Sequence, residues 1–226
     1  VLYTLAPFPW NPALSERHEE RLAALRALTE KCKKYGIGIY LYLNEPRAMP
    51  LAFYENHPGL KGVVEGDYAA LCTSAPEVRD FITQAVAGIC EAAPDVAGFF
   101  TISGSENLSN CWSHYTGDQC VRCRERTPAA VIGELHGAIQ AGIDRAESDA
   151  RLIAWDWGWK DEWAIETINA LPADVAHMSV SEWSLPIERG GVANAIGEYS
   201  ISAIGPGPRA TRHWAAAQAR GLSTLA

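Results

Sequence analysis

The sequence lacks three features, and each absence excludes a class of function. No apolar run approaches the ~20 residues needed to cross a bilayer, so neither an integral membrane role nor a membrane partner is expected. Positive charge is scarce, because Lys and Arg number 19 against 27 Asp and Glu and the net charge is −8. Nucleic-acid binding rewards clustered positive charge, so nucleic acid is not an expected partner. No glycine-rich stretch matches a phosphate-binding loop, so no organic cofactor is expected.

A secretion signal is also missing from this sequence. The chain begins with Val1 and shows neither the basic segment nor the cleavage site of a signal peptide. Three of the six cysteines, Cys32, Cys72 and Cys90, lie singly in apolar patterns that are typical of small buried side chains. Unpaired cysteines favour a reducing compartment, so a cytoplasmic location is expected.

Apolar residues make up 48% of the 226 residues, which is enough for a substantial core. Short apolar segments alternate with segments whose apolar residues recur at helical spacing. The predicted strands are residues 1–6, 37–43, 96–102, 151–157, 175–180 and 222–226. Such alternation predicts parallel βαβ units, either in a (β/α)8 TIM barrel or in an open doubly wound sheet.

The fold prediction is one α/β domain over residues 1–226, with parallel strands alternating with helices in a (β/α)8 TIM barrel or most of one. A complete barrel typically needs ~250 residues, so with six strand–helix units we expect a barrel that is incomplete at one or both ends. Exposed sheet edges need cover, which a homo-oligomer would provide. A Cys- and His-rich loop at about 108–127 follows a strand end and is predicted to be an insert.

Acidic residues recur where four predicted strands end. They are Glu45, Glu106, Asp156 and Glu182. In a parallel barrel these strand ends meet at one mouth. Hydrolysis of a glycosidic bond needs two carboxyl groups flanking that bond, so all four are candidate catalytic residues. Ordinary ion pairs and helix caps are the alternative for any one of them.

Aromatic and polar side chains beside these acids predict a carbohydrate substrate. Sugars stack their apolar faces on indole rings, and several tryptophans lie next to the strand-end acids. The candidate substrate-binding residues are Trp155, Trp157, Trp183, Asn107, Tyr199 and Arg209.

Four residues with metal-binding side chains lie within thirteen positions of the loop insert: Cys111, His114, Cys120 and Cys123. Tetrahedral zinc takes such a set, and the two-residue gaps are typical of small zinc sites. With no open coordination position the zinc would be structural. The alternatives are a disulfide between Cys111 and one of the later cysteines, or free thiols.

The segment from Phe100 to Glu106 resembles the strand-end signature of glycoside hydrolase family 20, the β-N-acetylhexosaminidases. That family has a His-x-Gly-Gly-Asp-Glu pattern there, and Trp155-Asp156 is similar to its later Trp-Asp-Glu segment. The resemblance implies a (β/α)8 barrel with Glu106 as the general acid. Ser105 stands where the family has the Asp that orients the substrate's acetamido group, so the resemblance does not extend to that step.

A second resemblance competes with the first. Asn44-Glu45-Pro46 is similar to the acid/base motif of the large retaining glycosidase clan, in which a second Glu ends a later strand. It implies Glu45 and Glu182 as the catalytic pair. The first reading is preferred because a whole heptapeptide around Glu106 matches.

The sequence therefore predicts a glycosidase that uses Glu106 as general acid and Asp156 or Glu182 as the second carboxylate. One alternative is a catalytically silent carbohydrate-binding barrel, which the Ser at position 105 favours. The other is a zinc-pinned interaction module whose strand-end acids are only structural.

Overall fold

The computed structural model describes residues 1–183, 185–195 and 206–225. The helices are α1 (Leu2–Leu5), α2 (His18–Lys33), α3 (Phe53–Asn56), α4 (Pro76–Ala92), α5 (Pro128–Arg145), α6 (Asp161–Ala170) and α7 (Pro208–Ala219). The strands are β1 (Ile39–Leu43), β2 (Met49–Pro50), β3 (Lys61–Glu65), β4 (Tyr68–Leu71), β5 (Val96–Ile102), β6 (Arg151–Trp155), β7 (Ala176–Met178), β8 (Pro186–Arg189), β9 (Val192–Ala195) and β10 (Thr224–Leu225).

A parallel sheet of five strands forms the centre of the molecule, in the order β1-β5-β6-β7-β10. The order of these five strands in the sheet is the same as their order along the chain. Five of the six predicted strands correspond to these five, so the predicted parallel α/β architecture is confirmed. Within the described residues β1 and β10 each have one neighbour in this sheet, so the sheet has two edges and is not a closed barrel.

The prediction of a strand over residues 1–6 is wrong. Leu2–Leu5 forms a single helical turn, closed by hydrogen bonds from the amides of Leu5 and Ala6 to the carbonyls of Val1 and Leu2. Leu2 and Tyr3 are buried in the main core. A short apolar run fits a buried helical turn as well as a buried strand, and periodicity alone does not separate the two.

The two faces of the central sheet differ in character. Leu43, Phe99 and Leu152 belong to the main core, which also contains the apolar side chains of α4 and α5. On the other face of the same strands, several aromatic side chains form a row of rings that begins with Tyr42 and Phe100. Because successive side chains of a strand point to opposite faces, helices cover one face and aromatic rings the other.

Consecutive helices pack side by side, α4 on α5, α5 on α6 and α6 on α7. Thr127 begins α5, its hydroxyl accepting from the amide of Ala130 at 3.2 Å, as helix starts with threonine typically do. In the part of the chain that the structure describes, no helix combines the length and the apolar character needed to cross a membrane.

Two further antiparallel elements lie outside the central sheet. Strands β2, β4 and β3 form a small sheet within the insert between β1 and α4, and β8 and β9 form a hairpin after β7. The small sheet packs against the loop before α5 through Val63, Ala70 and Leu108. Both elements therefore emerge from the carboxyl-end side of the parallel strands, where the candidate site lies.

Candidate functional site

Strands β1, β5, β6 and β7 are parallel, and each of the four strand-end acids follows the carboxyl end of one of them within four residues. The four acids differ in their exposure to solvent and in their hydrogen-bond partners. Glu106 is exposed, whereas Glu45, Asp156 and Glu182 are buried.

Glu106 is held by two side chains from the end of β1. Tyr42 donates to Glu106 Oε2 at 2.5 Å, and Asn44 Nδ2 donates to the same oxygen at 3.1 Å. Burial, followed by the hydrogen bond to Glu106, raises the pKa of Tyr42 to about 12, so this phenol stays a donor at neutral pH. Glu106 is therefore an accessible carboxyl group whose position is fixed by donors from the neighbouring strand.

The turn that presents Glu106 has an uncommon backbone. Ser105 has a positive φ of 60°, in the left-handed region that costs side-chain-bearing residues energy. Its amide donates to the carbonyl of Ser113 at 2.8 Å, and Gly158 packs against its side chain. A Cβ at Gly158 would collide with Ser105, so the glycine permits this close approach.

A cleft of about 380 Å³ lies beside Glu106. Besides Glu106 its walls include Arg47, Glu65, Tyr68, Asn107 and His114. Asn107, predicted to bind substrate, is thus placed in the same cleft as Glu106. Glu65 was not a candidate in the sequence, because it lies inside an insert without any recognisable motif.

Glu45 points to different partners from those of Glu106. Its Oε1 accepts from the nitrogen of Val1 at 2.6 Å, and its side chain is 5% exposed. Asn44 precedes Glu45 and contacts Glu106. The two neighbouring side chains therefore have different partners, as expected when successive side chains of an extended chain point in opposite directions. The structure therefore does not bring Glu45 into the cleft beside Glu106.

Asp156 is fully buried in an ion network. Its Oδ1 accepts from the amide of Val180 at 2.9 Å, and its Oδ2 accepts from Ser179 at 2.8 Å and lies 3.0 Å from Arg209. His213 Nδ1 lies 2.6 Å from Oδ2 and His177 Nε2 lies 3.4 Å from it. Both carboxylate oxygens are therefore occupied by protein donors.

The electrostatics of this network favour a permanently ionised Asp156. Burial alone would raise its pKa, but the close approach of His177, the hydrogen bond with His213 and the charge of Arg209 outweigh burial and hold the pKa well below its usual range. Asp156, His177 and His213 are close enough to hold a metal ion. Arg209 already neutralises the carboxylate, however, so the arrangement is that of a buried ion pair.

Glu182 and Arg209 tie helix α7 to the sheet. Glu182 Oε1 accepts from the amide of Arg209 at 2.7 Å, in the first turn of α7, where a carboxylate is favourable. The Arg209 side chain is 3% exposed and turns inward to Asp156. The predicted substrate contact Arg209 therefore lies beneath the surface, next to the predicted catalytic residues Asp156 and Glu182.

The predicted sugar-binding tryptophans form a continuous row with rings from the sheet. Ring centroids are separated by 5.7 Å from Tyr42 to Phe100, 5.4 Å from Phe100 to Trp155 and 5.0 Å from Trp155 to Trp157. Trp183 continues the row at 5.1 Å from Trp157 and is 37% exposed. The row runs from Tyr42, which holds Glu106, across the sheet. The remaining candidate, Tyr199, lies outside the described residues.

Four cysteine sulfurs form a buried cluster: Cys72, Cys111, Cys120 and Cys123 lie within 4.8 Å of one another. The Sγ atom of Cys72 is 3.8 Å from that of Cys120 and 3.7 Å from that of Cys123. These separations exceed the ~2.05 Å of a disulfide, and all six cysteines, every one within the described residues, are free. The cluster could hold a metal ion.

One predicted ligand is replaced in this cluster. His114 Nδ1 lies 2.5 Å from Glu65 Oε2, and Cys72 instead supplies the fourth position. Cys72 directly follows β4, whose pairing with β3 in the small sheet brings it to the loop. The sequence gives little indication that Cys72 is a ligand. It lies 39 residues before Cys111, in an apolar segment that is typical of a buried side chain.

The four thiols affect one another's ionisation. A hydrogen bond from Cys111 is the main cause that lowers the pKa of Cys72 to about 7. The interaction with Cys120 is the main cause that raises the pKa of Cys111 well above its usual range. Thiolate is the form that binds metals, so part of the cluster is already suited to that role.

No protein-family model matches the chain, and no curated protein is significantly similar to it in sequence. Its function therefore has to be argued from the site itself.

Proposed function

We propose that the protein is a glycoside hydrolase with Glu106 as its general acid. The observation that carries the proposal is the placement of Glu106 at the carboxyl edge of a parallel sheet, accessible from a cleft and held by Tyr42 and Asn44. A positioned carboxylic acid can donate its proton to the leaving oxygen of a glycosidic bond.

The row of rings beside Glu106 supports a sugar substrate. Trp155 and Trp183 present indole surface along the sheet, and Asn107 adds a polar group to the cleft. Aromatic side chains with an apolar face and a polar tip are typical of surfaces that bind ligands. The class of ligand we propose is therefore an oligosaccharide or another glycoside.

The proposed fold is a (β/α)8 barrel of which the five-stranded sheet is a part. Two observations support it: the order of the central strands follows the chain, and the sheet face opposite the helices carries bulky side chains. A barrel keeps its interior on that face and its catalytic groups at the carboxyl ends of the strands.

The test is the substitution Glu106→Gln, which keeps the shape of the side chain but removes its acidic proton. We expect a 10²–10⁴-fold loss of kcat on natural glycosides, since this is the range that general acid catalysis supplies. Both plain and N-acetylated 4-nitrophenyl glycosides are needed as substrates. The family that the segment around Glu106 resembles has an Asp that orients the substrate's acetamido group, and this chain has Ser105 at that position. Glu91→Gln, on the exposed side of α4, is the control. Unchanged turnover of a natural glycoside, whose leaving oxygen needs a proton, by Glu106→Gln contradicts the assignment.

A specific observation favours a second candidate, a carbohydrate-binding protein without catalysis. Asp156 and Glu182, predicted as the second carboxylate, are both buried and hydrogen-bonded to protein groups. This candidate predicts that tetrasaccharides of glucose or N-acetylglucosamine change the tryptophan fluorescence without release of reducing ends. Trp183→Ala is expected to weaken such binding.

We propose that the four-cysteine cluster holds a structural zinc ion. With Zn–S bonds of about 2.3 Å, tetrahedral geometry places sulfurs about 3.8 Å apart, and the separations of 3.7 and 3.8 Å from Cys72 fit this value. Four thiolates leave no open position, so the ion would stabilise the loop and take no part in catalysis. Metal analysis of the purified protein tests this, with one zinc per chain expected.

A further inference from the structure

Two glutamates, Glu106 and Glu65, line the cleft beside the strand ends. We infer that Glu65 supplies the second carboxylate of the reaction, an inference that rests on the proposed hydrolase function. Hydrolysis requires a second carboxyl group on the other side of the scissile bond, either to activate water or to attack the sugar. Glu65 ends strand β3 of the small sheet and Glu106 lies in the turn that follows β5 of the central sheet, so the cleft has walls from two separate parts of the fold.

Glu65 is held in place although it lies at the tip of a hairpin. It ends β3, and Gly66 turns the chain with a positive φ of 57° into β4. His114 Nδ1 lies 2.5 Å from Glu65 Oε2 and donates to it. An exposed hairpin glutamate has no intrinsic reason to adopt one position, so the contact with His114 is what fixes its direction.

The cysteine cluster positions this pair. Cys72 follows β4, and Cys111 precedes His114 by three residues. The Sγ of Cys111 lies against Gly62 of β3, where any larger side chain would collide with it. Sulfur contacts therefore join the small sheet to the loop that carries His114, which brings Glu65 and His114 together.

Accessibility favours Glu65 over the three other candidates. The side chain of Glu65 is 58% exposed, whereas that of Glu45 is 5% exposed. Asp156 and Glu182 are buried and accept hydrogen bonds from protein groups. A carboxylate that acts on water and sugar must reach them, and among these four acids Glu65 alone lies in the cleft of Glu106.

One buried polar atom next to the cleft also points to a ligand. Asn44 is 5% exposed, and its Oδ1 has no hydrogen-bond partner among the described residues, although its Nδ2 donates to Glu106. A buried acceptor without a partner is costly. A sugar hydroxyl beside Glu106 would donate to this oxygen and remove the cost.

The step balances with water as the only co-reactant. The oxygen of water forms a bond to the anomeric carbon while Glu65 takes one of its protons. The bond from the anomeric carbon to the leaving oxygen breaks, and that oxygen receives its proton from Glu106. Exchange of one proton between the two carboxyl groups through solvent restores the starting state.

The experiment compares Glu65→Gln, Glu65→Ala and Glu188→Gln on one activated 4-nitrophenyl glycoside that the wild-type protein cleaves. Glu188 is an exposed hairpin glutamate of β8 and serves as the matched control. We expect a 10²–10⁴-fold lower kcat for both Glu65 variants and wild-type turnover for the control. Sodium azide should restore turnover of Glu65→Ala with formation of a glycosyl azide, because azide attacks the sugar without needing a base.

His114 is a positioning residue, and its variants separate positioning from folding. His114→Ala should lower kcat at least tenfold with KM within twofold of wild type. His114→Asn should recover most of this loss, since its amide nitrogen can occupy the place of Nδ1 as a donor to Glu65. Equal defects in both variants contradict the positioning role.

The outcomes separate the inference from the proposed function. Full activity of Glu65→Gln, together with an inactive Glu106→Gln, overturns the inference and leaves the hydrolase proposal standing. Loss of activity in Glu65→Ala without azide rescue, or with a changed circular dichroism spectrum, also overturns it. A wild-type protein that cleaves none of a broad panel of glycosides overturns both.

Discussion

At the scale of single residues, burial separates groups that look equivalent in the sequence. Glu106 and Asp156 both end apolar strands, yet one is exposed beside a cleft and the other is enclosed by Arg209 and two histidines. The positions of acids at strand ends could be predicted from the pattern alone. Their roles could not, because a charge partner 53 residues away in sequence decides whether a carboxylate is available for chemistry.

Burial also determines the behaviour of His136, whose ionisation makes the free energy of unfolding depend on pH. His136 lies on α5, fully buried, with Nδ1 donating to the carbonyl of Ile132 at 2.8 Å and Nε2 3.0 Å from the hydroxyl of Thr101. Burial lowers its pKa from 6.5 to about 4, against the smaller opposing effect of the Ile132 hydrogen bond. The folded protein therefore keeps this imidazole neutral where the unfolded chain would protonate it.

Between pH 6.5 and 4 the unfolded state binds the extra proton, so the free energy of unfolding falls as the pH falls through this window. The loss from His136 is about 3 kcal/mol at most, at ~1.4 kcal/mol per pH unit. We expect His136→Gln to be less stable at pH 7 but to show a flatter pH dependence from 6.5 to 4 in urea denaturation. A wild-type slope in His136→Gln contradicts this.

At the scale of elements, the sequence predicts the central sheet well and its additions poorly. Strands such as β5 and β6 are apolar runs bounded by turn residues, and periodicity identifies them. The hairpin of β3 and β4 is short and glycine-rich, so it carries no comparable signal. Glu65 ends β3 and Cys72 directly follows β4, so neither residue could be placed from the pattern of the regular elements.

Helix α7 offers an element-scale test, because its first turn is closed by a side chain from the segment that follows β7. Glu182 accepts from the amide of Arg209, and its side chain packs against Gly207, where an added Cβ would collide with it. We expect Gly207→Ala to displace the carboxylate and to lower the unfolding free energy by ~1–2 kcal/mol, the typical worth of a helix cap.

A double-mutant cycle distinguishes this collision from a local backbone effect. Glu182→Ala removes the side chain that an alanine at position 207 would strike, so adding Gly207→Ala to it should cost less than Gly207→Ala costs alone. Residues in contact show coupling of ~0.5–3 kcal/mol. Additive losses in urea denaturation would show that Glu182 and Gly207 act independently.

At the scale of the whole molecule, the four-cysteine cluster is the junction between the small sheet and the loop that precedes α5. Val63, Ala70 and Leu108 pack around it, and each belongs to a segment without a long regular element. The sequence could indicate three of the four sulfurs, because they lie within one loop. The fourth depends on a chain reversal through β3 and β4, which spacing in sequence does not encode.

If metal binding holds this junction together, its loss should affect stability and the cleft at once. Cys72→Ser keeps the size of the side chain but removes a thiolate ligand, and it is expected to lose zinc and to unfold with a Tm lowered by ~6–12 °C. This corresponds to about 3 kcal/mol for a chain of this size, because binding energy at a site formed only on folding contributes to stability. Cys90→Ser, at a buried cysteine of α4 outside the cluster, is the control and should retain zinc. Because the small sheet also carries Glu65, loss of zinc should reduce glycoside turnover. A zinc-free variant with the wild-type Tm and turnover would show that the sulfurs only pack as apolar atoms.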